Sequence, residues 1–186
     1  RLRGCAIGMK DGRLVQVVAS SRGGGATHTL SLAAGLAARG RSVTAAMPND
    51  GGNVHPEDFR QTGVGFVELG EAQATTTSRI RRLAQALREL DPALVHAHGS
   101  RAAFWCRVAL RLSGRDGAVL ACSIHGFATP FYAWPRRLLQ GGVMKWVCGD
   151  AGAVVACCEA ERRALIDAGM APPDRIVAVP YGIDLT

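Results

Sequence analysis

Four short polar motifs, each just after an apolar segment, contain the residue types that could bind or transform a ligand. They are S-S-R-G-G-G-A-T-H (20–28), H-A-H-G-S-R (96–101), S-I-H-G-F (123–127) and A-C-C-E-A-E-R-R (156–163). Open α/β folds bind ligands beyond the carboxyl ends of their parallel strands, which meet at one edge of the sheet. If the preceding segments are strands, the four motifs predict one binding site.

The glycine loop is the first candidate. Backbone N–H groups of Gly23, Gly24 and Gly25 could approach a phosphate at the start of a helix. A tight turn without a ligand fits the same residues equally well. A dinucleotide-binding fingerprint fits poorly, because His28 occupies the third glycine position and the second apolar segment ends at Met47 rather than at an acidic residue. The loop therefore disfavours a nicotinamide enzyme.

The histidine motifs supply the second and third candidates. We expect His96 and His98 to project from opposite faces of a strand, which would keep them from sharing a metal ion, with His98 the more exposed. Ser100 and Arg101 would then meet an anionic or hydroxylated ligand beside His98, at a helix N-terminus. His125 follows the next apolar segment, where an imidazole could handle a sugar hydroxyl or a developing charge.

The remaining candidates flank these histidines or open the last motif. Gly126 relaxes the backbone after His125, and Phe127 completes the motif as a further ligand contact. Glu159 is placed to open a helix, where a carboxylate also serves as an ordinary dipole partner. His125 likewise could be a structural histidine, so both interpretations stay open at this point.

Elements that could position these residues alternate regularly along the chain. Seven apolar segments predict strands at 14–20, 42–47, 65–69, 93–98, 118–124, 153–158 and 175–180. Consecutive apolar positions favour a parallel sheet covered on both faces. Helical periodicity between them includes one face through Ile80, Leu83, Leu87 and Leu90 and another through Phe104, Val108 and Leu112. The pattern predicts a Rossmann-like, doubly wound α/β fold with about seven strands.

Composition excludes several other classes. The 186 residues are 48% hydrophobic and carry a net charge of +7, which is typical of a folded domain. Neither a spanning segment nor a signal peptide is indicated, so we expect a cytoplasmic protein. The sequence lacks a basic stripe with interleaved aromatic residues, which is the pattern that would suggest binding to nucleic acid. The six cysteines lack C-x-x-C spacing, which disfavours zinc and indicates reduced core thiols.

The ordered motifs resemble the N-terminal domain of retaining GT-B glycosyltransferases, the family that includes phosphatidylinositol mannosyltransferases and sucrose synthases. The resemblance covers nearly the whole chain and ends in P-P-D-R-I-V-A-V-P-Y-G-I-D. It implies an N-terminal extension at 1–13, an acceptor-binding domain at 14–180 and the start of an interdomain linker at 181–186. A C-terminal donor-binding domain would lie outside this chain.

That resemblance also implies an activity. A sugar would move from a nucleotide-sugar donor to a glycan, lipid-linked or small-molecule acceptor with retention of configuration, and without a metal or other cofactor. His125 would approach the transferred sugar, and the loop at Gly23 to Gly25 would face the donor diphosphate and the acceptor. Cys158 and Tyr181 depart from the family pattern, which often has serine and asparagine at these positions.

An aromatic and basic segment at 127–147 could contact an anionic membrane surface, which would make the protein peripheral at the inner membrane face. Its aromatic residues could equally line the acceptor cleft or complete the core.

Two other functions remain open on the sequence alone. One is a non-catalytic Rossmann-like domain that binds a ligand or partner, and the other is the disfavoured nicotinamide-dependent oxidoreductase.

Overall fold

Strands and helices alternate through the described part of the chain. The computed structural model describes residues 12–115, 117–126 and 134–182. The elements are β1 (Leu14–Val18), α1 (Gly23–Ala37), β2 (Val43–Asn49), α2 (Pro56–Gln61), β3 (Gly65–Glu71), α3 (Thr76–Leu90), β4 (Leu94–His98), α4 (Ser100–Ser113), β5 (Val119–Ile124), α5 (Trp134–Gly149), β6 (Ala153–Ala156), α6 (Glu159–Asp167), a 3-10 turn (Pro173–Arg175) and β7 (Ile176–Ala178). All seven predicted strands are present.

The strands form one parallel sheet in the order β3-β2-β1-β4-β5-β6-β7. The chain moves outward from β1 to β3 and then returns to the other side of β1 as β4, which continues outward to β7. Val18 at the end of β1 pairs in register with His98 at the end of β4. The predicted doubly wound fold is therefore confirmed, and its strand order reverses between β1 and β4.

The core consists of two apolar clusters. One packs β-strand side chains such as Val15 and Val17 against α3 to α6, and the other packs Leu14 and Val18 against α1 and α2. Alternate residues of a strand point to opposite faces, so the two clusters lie on the two sides of β1. Gln16 lies on the α1 side, and it is only 1% exposed.

Helix ends and faces follow from the sequence to different degrees. In α3 the Thr75 side chain accepts a hydrogen bond from the Ser78 N–H, and Ile80, Leu83 and Leu87 are buried as predicted. For α4 the predicted face is wrong at Leu112, which is 55% exposed. Small residues and the nearly fully buried Trp105 form the inner face of α4 instead, because this helix packs closely against α3.

The cysteines of the described ranges carry no disulfide bond. Cys106, Cys122 and Cys148 are buried, in agreement with the expected core thiols. The expectation is wrong for Cys158, which is exposed and whose Sγ accepts a hydrogen bond from the Glu161 N–H at 3.5 Å. A cysteine thus serves as the N-cap of α6, in the position where a serine side chain would normally do so.

Candidate functional site

Three histidines and a tyrosine meet at the carboxyl edge of the sheet. His98 ends β4, His125 follows β5, Tyr181 follows β7, and His28 comes from the second turn of α1. The His28 ring lies 5.7 Å from that of His98, 5.5 Å from that of His125 and 4.3 Å from that of Tyr181. We call these four residues the histidine cluster. It lies next to the reversal of strand order, where α/β sheets bind ligands.

A continuous row of hydrogen bonds runs from the cluster into the core. The Tyr181 hydroxyl lies 2.6 Å from His125 Nδ1, and His125 Nε2 lies 3.2 Å from His98 Nδ1. His98 Nε2 then lies 2.7 Å from Gln16 Oε1. The row starts at Tyr181, which is 41% exposed, and ends at a buried amide. The ends of three strands, β4, β5 and β7, and the central strand β1 are thereby joined through side chains.

The arrangement of His96 and His98 differs from the expectation. Their rings lie 4.3 Å apart on the same side of β4, because residues two apart on a strand share a face. His98 is also the less exposed of the two, at 3%, because its ring is covered by the cluster. His96 Nε2 hydrogen-bonds to Ser123 Oγ at 2.8 Å. Among the described residues, no group of three or more His, Cys, Asp or Glu side chains is arranged to hold a metal ion.

Burial keeps the imidazoles of this site neutral. It lowers the pKa of His96 to about 4 and holds the pKa of His98 well below its usual value, with neighbouring histidines adding to the effect. Burial, and then His28, lowers the pKa of His125, although the Glu161 carboxylate acts in the opposite direction. Burial also raises the pKa of Tyr181 to about 12. At neutral pH the site therefore offers lone pairs and N–H or O–H donors rather than cations.

The glycine loop forms the first turn of α1, whose N-cap residue, Arg22, makes no capping hydrogen bond with its own side chain. A Cβ added at Gly23, Gly24 or Gly25 would meet nothing within 4 Å, so the side of the helix turn on which their side chains would lie is open. Only Gly23 has a backbone conformation that favours glycine, with φ of +76°, and its N–H donates to Asn53 Oδ1 at 3.1 Å. The Asp50 carboxylate braces the preceding turn by accepting hydrogen bonds from Ser20 and Ser21.

The remaining predicted site residues of this group are Ser100, Arg101, Glu159 and Phe127. Ser100 and Arg101 form the exposed first turn of α4, directly after His98 and Gly99. Glu159 is exposed at the start of α6, where its carboxylate pairs with arginines of its own helix, Arg162 and Arg163. Phe127 lies outside the described residues.

Gly126 is held by a residue that the sequence analysis missed. Its N–H donates to Glu161 Oε1 at 3.0 Å, while Glu161 Oε2 accepts from the Cys157 N–H at 2.7 Å. Glu161 is only 8% exposed, so one buried carboxylate connects the segments that follow β5 and β6. The spacing Cys158-x-x-Glu161 resembles a capping box and could have drawn attention to it.

Two further members of the site were also missed, and only the first, Gln16, left a signal in the sequence. Gln16 is the only polar residue of the strand L-V-Q-V-V, and a polar side chain in the middle of a buried strand needs a partner. His28 was considered only as a mismatch to a glycine fingerprint. Nothing in the sequence indicates that it would contact Tyr181, which lies 153 positions later in the chain.

Comparison with solved structures shows what this chain is similar to. Anabaena HepE in complex with UDP and glucose superposes with a TM-score of 0.71 at 17% identity, covering 93% of this chain and 45% of that one. Sucrose-phosphate synthase from Thermosynechococcus elongatus gives 0.69 at 13% identity, with 93% and 49% covered. MurG from Acinetobacter baumannii gives 0.62 at 13% identity, with 92% and 46% covered.

These similarities establish the fold, and this chain spans less than half the length of each of the three proteins. No curated protein matches the sequence. Family assignment comes from the sequence profile of Glycosyltransferase Family 4, which matches residues 22–186 and so includes the glycine loop, the histidine cluster and Glu161. The chain belongs to glycosyltransferase family 4.

Proposed function

We propose that this chain is the acceptor-side domain of a glycosyltransferase that moves a sugar from a nucleotide-sugar donor to a glycan, lipid-linked or small-molecule acceptor. The observation that carries the proposal is the uncrowded glycine turn at Gly23 to Gly25, where an added Cβ would meet nothing within 4 Å, on the helix whose His28 ring centroid lies 5.5 Å from that of His125. Amides suited to phosphate and a neutral imidazole suited to a sugar hydroxyl thus border the same edge of the sheet.

Each group would then have a distinct role. The N-terminal amides of α1 would face the donor diphosphate, whose charge they favour together with the helix dipole. His125 would contact the transferred sugar, and we propose that transfer retains the anomeric configuration. Backbone and side-chain donors of the two domains would meet the phosphate charge, so we propose that no metal ion is needed. A donor-binding domain would complete the cleft from the opposite side.

The rival functions account for fewer of these features. A nicotinamide enzyme would need an acidic group free for the ribose after β2, but the Asp50 carboxylate is engaged by Ser20 and Ser21 of the loop. A non-catalytic binding domain accounts for ligand contacts at this edge of the sheet but gives the neutral His125 no chemical step to perform. The family match favours transfer over both.

A donor screen tests the proposed activity. The protein that carries this chain together with a donor-binding domain is incubated with a panel of nucleotide sugars, with and without lipid extracts, and released nucleoside diphosphate is measured. We expect acceptor-dependent release from one or few donors, and equal rates in EDTA. Saturable binding of a nicotinamide cofactor without any release would contradict the proposal, and a strict manganese requirement would contradict its metal-independent part.

Contact with an anionic membrane surface is a second part of the proposal, which places the protein in the cytoplasm at the inner membrane face. No helix of the described ranges is long and apolar enough to cross a bilayer. Leu138 and Leu139 of α5 are 60% and 71% exposed, and Arg107 and Arg111 stack over the nearby Trp146 ring. Exposed apolar side chains in a basic region of the chain suit an anionic lipid interface.

Vesicle sedimentation tests this surface. Binding to vesicles with anionic lipid should exceed binding to neutral vesicles, weaken with salt and fall in Leu138→Ser/Leu139→Ser. Removing charge at Arg136 and Arg137, whose side chains lie outside the described part, should act in the same direction. Equal binding to both vesicle types, or none to either, would return α5 to an ordinary surface role.

A further inference from the structure

We propose that Gln16 and His98 are positioning residues that hold His125 as the tautomer with its hydrogen on Nε2, so that Nδ1 faces the cleft as a hydrogen-bond acceptor. The proposal rests on the proposed function only in taking the cleft-side partner to be a sugar hydroxyl. The proposal gives a role to Gln16, which is buried in the middle of β1.

The donor and acceptor of each hydrogen bond in this row follow from the bond at its buried end. An amide oxygen can only accept, so the contact of 2.7 Å between His98 Nε2 and Gln16 Oε1 requires the hydrogen to be on His98 Nε2. A neutral His98 then has a lone pair on Nδ1, and the contact of 3.2 Å requires His125 to donate from Nε2. His125 Nδ1 is left as an acceptor, and the Tyr181 hydroxyl donates to it over 2.6 Å.

Burial protects this assignment of donors and acceptors from competition by water and from rotation of the rings. Gln16 and His98 are 1% and 3% exposed, so water does not compete for the amide oxygen or for the ring. His96 packs against the His98 ring at 4.3 Å and is itself tied to Ser123, which restricts rotation of both rings. Burial also keeps the pKa of His98 well below its usual value, which favours the neutral form with one N–H and one lone pair.

The consequence is selectivity for what approaches His125. A lone pair at Nδ1 accepts from a hydroxyl and repels a phosphate or carboxylate oxygen, which has no hydrogen to give. Tyr181 now supplies that hydroxyl, and it is 41% exposed after β7, where a ligand hydroxyl could take its place. The fixed tautomer would thus direct a sugar hydroxyl to His125 and leave the diphosphate to the α1 amides.

Nitrogen NMR of the imidazoles in the 186-residue chain tests the proposal. Long-range 15N–1H spectra at pH 7.5 distinguish a protonated ring nitrogen from one with a lone pair, and His125→Asn and His98→Asn identify the signals. In the wild type we expect hydrogen on Nε2 and a lone pair on Nδ1 for both histidines. Hydrogen on His125 Nδ1 would overturn the proposal whatever the variants do.

Two variants, one at each end of the row of hydrogen bonds, test which residue sets the tautomer of His125. Gln16→Met removes the buried acceptor at similar volume, and His125 should then populate both tautomers. Tyr181→Phe removes the exposed hydroxyl, and the tautomer should stay as in the wild type. If His125 populated both tautomers in Tyr181→Phe but only one in Gln16→Met, the proposal would be overturned. Thermal melts of both variants show that the spectra come from folded protein.

Turnover provides the functional measurement in the protein with its donor-binding domain. Gln16→Met should lower kcat in proportion to the lost fraction of the correct tautomer, about twofold for an equal mixture, with little change in the donor KM. Unchanged kcat with a mixed tautomer would refute the positioning role. If the wild type transfers no sugar at all but shows the expected tautomer, the proposed function fails while the tautomer assignment stands.

Discussion

Replacing Glu161 by glutamine should destabilise the protein far more than the same replacement at Glu159, although the two carboxylates lie in the first turn of the same helix. Glu161 accepts from the N–H groups of Gly126 and Cys157 at 3.0 and 2.7 Å, in a site where it is 8% exposed. Glutamine keeps one acceptor oxygen but turns an NH2 group toward the other N–H. One N–H donor of a partly buried hydrogen bond loses its partner, at about 1–3 kcal/mol, and the other bond loses its charge, at about 1 kcal/mol.

The expected loss for Glu161→Gln is therefore about 3 kcal/mol, which corresponds to roughly 6–12 °C in Tm for a domain of this size. Glu159→Gln loses exposed ion pairs with Arg162 and Arg163, worth about 0–1 kcal/mol, and a helix-dipole contribution similar to that of Glu161. Differential scanning calorimetry at pH 7.5 measures both variants. Similar Tm shifts would refute the reasoning, because they would mean that the carboxylate at 161 contributes only through the helix end.

Three further outcomes are expected. Folding lowers the pKa of His96 from 6.5 to about 4 and that of His98 well below 6.5, so the unfolded chain takes up both protons first as the pH falls. Urea unfolding should therefore show stability dropping between these values by about 1.4 kcal/mol per pH unit for each of the two histidines, and a flat profile would contradict this. His125→Ala should cut turnover about a hundredfold to a thousandfold while costing on the order of 1–2 kcal/mol of stability, and normal turnover with a large Tm loss would make His125 structural. Gly52→Ala should lower Tm, because its Cβ would clash with the Ser21 carbonyl, whereas Gly24→Ala, which meets nothing within 4 Å, should raise it slightly.

The fold could be predicted from sequence because its signals are local. Runs such as L-V-Q-V-V and A-V-V-A are apolar on consecutive positions, which only a strand covered on both faces requires. The inner face of α3 could be predicted for the same reason, since Ile80, Leu83 and Leu87 repeat with the helical period. In α4 the period was assigned to the large residues, but the close approach of α3 selects the small ones.

The site was less predictable because its contacts join distant parts of the chain. Placing His96 and His98 on opposite faces misapplied the strand period, which puts residues two apart on one face. The low exposure of His98 depends on His28 from α1 and on His125 from the next strand end, and neither contact is visible in a local pattern. Glu161 is buried only because the segments after β5 and β6 come together around it.

The hydrogen bond between Gln16 and His98 joins residues 82 positions apart, across the only strand pair that connects the two halves of the sheet. Closing so long a loop is entropically costly, so we expect this pairing to form among the late events of folding. The unit β1–β3 and the unit β4–β7 can each acquire most of their local structure before they dock. A partial opening along the boundary of β1 and β4 would therefore disassemble the histidine cluster while leaving both units largely folded, and hydrogen exchange at Val17 and Ala97 would report it.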